Sequence, residues 1–182
     1  MNDQLKMISA NAQIQFERRF VLDDLPAPLT RASSHLQFFD NYITNTRLFL
    51  QRVRNPETKQ WKYRLVQKYA LISTDLSRNV VAEINLNEDE YEVLSVFEAN
   101  ELRYNRYLWQ SENDFSMMID MYLNRELWNL ILATVQFNTL EEMQTFALPL
   151  FVKLEITNHE SFNGINLSNL SLSAIQREMV KE

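Results

Sequence analysis

The sequence predicts an α+β fold built on one antiparallel sheet, an eight-stranded β-barrel with inserted helices and a C-terminal helix. Three observations predict it. Short stretches rich in aromatic and β-branched residues recur along the chain with a period of two, separated by turn signals such as NPETK. Around eight strands are joined by only two or three inserted helices, which suggests α+β with the antiparallel sheet curled or closed. The first stretch, QIQFERRFVL at positions 13 to 22, places both signs of charge on one face, as an enclosed inner wall would.

The elements follow in order. After the first strand, DDLPAPLTRASS has two prolines and several capping residues and predicts a turn followed by a short helix or loop. HLQFFDNYI, LFLQRVR, WKYRLVQKY and NVVAEINL continue as strands of an antiparallel meander. In NEDEYEVLSVFEAN, Asn87 caps, Glu90 sits three residues on, and Tyr91, Leu94 and Phe97 share a side, which predicts a helix of about three turns. ELRYNRYLW, FSMMIDMYL and WNLILATVQF return to strand, the last apolar enough to be central. TLEEMQTFALP is a second helix with a Thr139/Glu142 capping box and a stop at Pro149. VKLEIT closes the sheet, and LSLSAIQREMVKE predicts an amphipathic helix over about 170–181. The reading is one domain over 1–182, its barrel core at about 13–167.

Composition narrows the chemistry. There is no cysteine, so disulfides and thiolate metal sites are excluded, and the two histidines, His35 and His159, are too far apart in sequence to suggest a site. The single glycine, Gly164, rules out glycine-rich phosphate loops, so a bound phosphate must be held by side chains. A net charge of −6 argues against nucleic-acid partners. No apolar run reaches a membrane span and no signal-peptide order opens the chain, so the expected location is cytoplasmic. Met117, Met118 and Met121 read as core, and Trp61, Trp109 and Trp128 as packing residues at strand ends.

Parity on the strands selects the candidate site. Arg52 shares a face with Arg54, Lys62 with Arg64 and Lys68, and Arg106 with Tyr104. Asp120 and Glu155 are flanked by apolar residues on both sides and Glu17 follows Phe16, as inward-pointing carboxylates would. If these faces converge, Arg19, Arg52, Arg54, Arg64, Lys68 and Arg106 meet three carboxylates in a lumen that favours an anion, with arginine forks matching phosphate oxygens. The same alternation also fits the solvated face of an open sheet.

These motifs, in this order, resemble the CYTH domain of the triphosphate tunnel metalloenzymes. QFERRFVLDDLP places Gln15, Glu17 and Arg19 in the slots of that family's opening E-x-E-x-K motif. DNYITNT matches its D-x-Y segment, RVR its paired arginines, and KYRLVQKY the strand ending in lysine, here Lys68. NLNEDEYEVL looks like its strand-to-helix junction. RYLW supplies Arg106, MIDMY Asp120 and LEITNHESF Glu155. The resemblance implies an eight-stranded tunnel in which basic residues hold a triphosphate and carboxylates hold magnesium or manganese. The chain departs from the pattern at Gln15, Thr134 and Gln136, where the family carries glutamates, and at Tyr104, where it carries lysine.

The resulting expectation is a degenerate member that binds a phosphate-rich small anion, such as a nucleotide, triphosphate or polyphosphate, with little or no catalysis. Arg19, Arg52, Arg54, Arg64, Lys68 and Arg106 would hold phosphate; Glu17, Asp120 and Glu155 would hold magnesium or manganese weakly, and no cofactor is assigned beyond these two metals. The alternatives are a metal-dependent triphosphatase or nucleotidyl cyclase, and a protein-interaction scaffold. The expected partner is a small phosphorylated ligand, with no membrane or nucleic acid, and self-association is left open.

Overall fold

The computed structural model describes residues 11–111 and 115–179. Nine strands form one antiparallel sheet: β1 (Gln13–Leu22), β2 (Leu36–Ile43), β3 (Leu48–Arg54), β4 (Trp61–Ile72), β5 (Asp75–Leu86), β6 (Ala99–Gln110), β7 (Ser116–Tyr122), β8 (Ile131–Phe137) and β9 (Val152–Glu155). Their order is β5-β4-β3-β2-β6-β7-β8-β1-β9, and a further pairing of β5 with β1 closes eight of them into a barrel, with β9 added to β1. Closure happens because β1 is long enough to share one edge: Gln13 to Phe16 pair with β5, and Phe20 to Leu22 pair with β9.

The helices are short. α1 (Glu88–Leu94) carries the full expected capping box, with Glu90 N donating to Asn87 Oδ1 and Asn87 N to Glu90 Oε2, each at 2.8 Å. It ends a turn earlier than expected because the chain must re-enter the sheet as β6. α2 (Leu140–Thr145) is capped by Thr139, but Glu142 reaches back to Asn138 N rather than to the cap itself. α3 (Gly164–Leu167) is a single turn that the sequence pattern did not show, and α4 (Leu172–Met179) is the expected amphipathic helix. The expected last residues of that helix, 180 and 181, lie outside the described residues. Residues 23–34 form turns, the loop alternative to a short helix. Among the described residues no helix is long and apolar enough to cross a membrane.

Two apolar clusters position the site. One lies on the outer wall of β1, β7 and β8, where Phe20, Met117, Ile119 and Ala133 are fully buried beneath Phe146 and Phe151. The other occupies the barrel end at which β1 finishes: Val21, Leu102 and Leu132 pack with Ile156, Phe162, Leu167 and Ile175 from the C-terminal segment. That segment covers this end of the barrel. Gly164 lies so close to Tyr42 that a Cβ there would overlap the Tyr42 hydroxyl. At the opposite end β1 begins exposed, so burial deepens along the strand from Gln13 to Leu22.

Candidate functional site

Inside the barrel the inward side chains enclose a cavity of about 220 Å³. The period of two makes the inner face predictable once one residue per strand is fixed: Gln15, Glu17 and Arg19 on β1 are inward, and so are Arg64 and Lys68 on β4, Arg106 on β6 and Asp120 on β7. Asn163, Gly164 and Ile165 of the covering segment line the same cavity.

Cations and carboxylates are interleaved here. Lys68 Nζ donates to both oxygens of Glu17, at 2.9 and 2.8 Å. Arg106 holds Asp120 as a fork, Nε to Oδ1 at 2.6 Å and Nη2 to Oδ2 at 2.7 Å, and its guanidinium carbon lies 4.5 Å from the Phe38 ring centroid. Nearer the open end, Arg64 donates to Glu83 at 2.8 Å. Arg19 and Arg47 differ: Arg19 Nη1 donates to the Phe162 carbonyl at 2.6 Å, and Arg47 lies 4.2 Å over the Tyr69 ring. Among the described residues neither has a carboxylate partner within ion-pair distance.

Burial sets the protonation of the acids. Asp40 on β2, 3% exposed, accepts from Gln51 Nε2 at 2.6 Å and Tyr104 Oη at 2.7 Å. Loss of solvent pushes its pKa up to about 6, against the opposing effects of those two hydrogen bonds and of Arg106. For Glu17, burial also disfavours the charge, but Lys68 and Arg19 outweigh it and hold the carboxyl below its ordinary value.

Of the residues selected from sequence, Arg19, Arg64, Lys68, Arg106, Glu17 and Asp120 all line this cavity. Arg52 and Arg54 do not, which corrects the expectation of an inward RVR pair. On β3 the inward residues are Phe49 and Gln51, so the intervening parity faces outward, where Arg52 lies 4.7 Å over the Phe39 ring and pairs with Glu101 at 3.7 Å. Glu155 is likewise outside the cavity, its Oε1 taken by Arg18 Nε at 2.9 Å and Thr157 Oγ1 at 2.6 Å. Asp40, Glu83 and Arg47 were missed. Asp40 shares parity with Tyr42 in DNY, which could have flagged it, whereas Arg47 sits in a turn with no periodic signal.

The donor set does not fit a divalent cation held by carboxylates. Both oxygens of Glu17 and of Asp120 are engaged by cations, and Asp40 is held by two donors. Gln15 and Gln136, bonded to each other at 3.3 Å, contribute only neutral oxygens. Among the described residues no three acidic, histidine or cysteine side chains gather closely enough to hold a metal.

No protein-family model matches the chain, and no curated protein matches it either. Among solved structures, that of the inorganic triphosphatase NE1496 is similar at 18% identity and a TM-score of 0.56, covering 85% of this chain and 93% of that one. A second structure of NE1496 gives 17% identity and a TM-score of 0.57, covering 86% and 99%. The chain therefore shares the triphosphatase's closed-barrel fold.

Proposed function

We propose that the barrel is a binding module for a compact, phosphate-rich anion, held by side chains without a metal and with little or no turnover. One observation carries this reading: Arg19, Arg47, Arg64, Lys68 and Arg106 line a single cavity, and two of them, Arg19 and Arg47, have no carboxylate within ion-pair distance among the described residues. Those two charges, toward the covered end, are available to an anion that reaches the bottom of the cavity. It can also take the ammonium hydrogen of Lys68 left over from Glu17, so the existing ion pairs need not break. The cavity is smaller than the ~300 to 1,000 Å³ typical of drug-sized ligand sites, which favours a phosphate chain over a whole nucleotide inside. The fold shared with a triphosphatase makes tripolyphosphate the natural probe.

Thermal denaturation with tripolyphosphate in excess EDTA tests the reading. A ligand of the native state raises Tm with its concentration, and Arg19→Gln with Arg47→Gln should remove most of that rise. Absence of any rise at millimolar ligand would leave the scaffold alternative. Metal-dependent phosphate release that disappears in Glu17→Gln would instead establish a triphosphatase, the reading favoured by the function of NE1496.

A further inference from the structure

The outer wall formed by β2, β3 and β4 carries side chains for which the pocket has no use. Register places Arg103, Phe39, Arg52 and Tyr63 in one row across four strands, and Gln37, Arg54 and Trp61 in the next. The rows interlock: Arg52 lies 5.7 Å and Arg54 5.8 Å from the Trp61 ring, and Trp61 stacks on Tyr63 with the planes 10° apart. Such layers of guanidinium and aromatic ring hold arginines in place, and although Glu101 pairs with both Arg52 and Arg103 within the protomer, the guanidinium groups of Arg52, Arg54 and Arg103 against that one carboxylate leave the wall positive.

Beside this ladder lies a surface of opposite character. Tyr91 of α1 packs on Tyr63 at 5.1 Å, and Tyr63 Oη donates to Glu88, so α1 borders the ladder directly. Glu88, Asp89, Glu90 and Glu92 make α1 acidic with no basic residue in its last turn. Large apolar side chains accompany these acids: Val93 is 69% exposed, Val96 79%, Phe97 54% and, on the adjoining β5, Ile84 60%. Apolar side chains concentrated in this way mark an interaction surface.

The two halves decide the occupant. A polyanion or an anionic membrane would suit the arginines but would be repelled by α1, and an acidic peptide would leave the apolar half bare. A second copy related by a two-fold axis suits both, because each acidic, apolar α1 then lies on the arginine ladder of the other. We propose that this protein forms an isologous homodimer through the α1 surface and the outer wall carrying Arg52, Arg54, Arg103 and Trp61.

The test is mass in solution, measured by sedimentation or light scattering from micromolar to millimolar protein, at low and high salt. We expect a dimer that salt weakens. Val96→Ser with Phe97→Ser should weaken it at least tenfold while leaving the circular dichroism spectrum and melting intact. Asp89→Arg with Glu92→Arg should do the same, as should Arg54→Glu with Arg103→Glu, because each sets like charges opposite one another. All four charge reversals together should restore the dimer, since the complementarity is then rebuilt with exchanged signs. A wild type monomeric at every concentration overturns the proposal. A dimer indifferent to these substitutions, or one that the fourfold reversal does not restore, places the contact elsewhere and overturns it equally.

Discussion

Lys68 on β4 and Glu17 on β1 meet inside the barrel at 2.8 Å although β5 stands between their strands. The pair bridges the barrel's interior rather than a neighbouring rung, and Glu17 is only 3% exposed. A charge so enclosed depends on its partner.

Lys68→Met should therefore destabilise the protein by ~3–5 kcal/mol, the cost of leaving a buried charge unpaired, while Glu17→Gln combined with Lys68→Met should recover most of the loss. Urea denaturation of the three variants checks this. Because the Glu17 pKa is lowered, its contribution is complete above the ordinary value of 4.5 and fades as pH falls through the lower folded value.

Asp40 should act in the opposite sense. Its folded pKa of about 6 lies above the ordinary 3.8, so the native state takes up a proton first and gains stability as pH falls from 7 to 4. Relative to Asp40→Asn, wild type should gain roughly 3 kcal/mol over that interval, at about 1.4 kcal/mol per pH unit of difference between the two values. Urea unfolding of both proteins at pH 4, 5, 6 and 7 measures it; parallel profiles would refute the assignment.

Arg52→Ala with Arg54→Ala should leave the tripolyphosphate-induced rise in Tm unchanged, since both guanidinium groups lie on the outer wall over Phe39 and Trp61. An inward pair would have abolished most of it. Differential scanning fluorimetry with and without ligand distinguishes the two outcomes.

Gly164→Ala should cost about 1–3 kcal/mol, because the added methyl must displace either the Tyr42 ring or the segment covering the barrel end. Equilibrium denaturation gives the value, and an effect below a few tenths would show that the segment shifts freely.

The strands were legible because QIQFERRFVL and WKYRLVQKY keep close to a period of two, whereas closure came with the family resemblance, since the charged face alone fits an open sheet as well. Strand parity failed at β3 for a physical reason. Leu50 is 2% exposed on the outer side and Phe49 8% on the inner side, so both faces of that strand are apolar and neither marks the lumen. Glu155 was misplaced because β9 pairs only with β1 and its position beside the barrel depends on an edge the sequence does not display. The pairing of each inward cation could not be read either, since Lys68 and Glu17, or Arg106 and Asp120, meet through a convergence of strands that no local pattern encodes.

The covering of one barrel end by Phe162, Gly164 and Leu167 makes the cavity a cul-de-sac. A linear polyphosphate cannot be threaded through such a space and engaged at an internal residue; it can only be entered head-on, by its terminal group. Under the anion-binding reading, the number of protein molecules bound per polymer then counts termini and stays constant as the polymer lengthens.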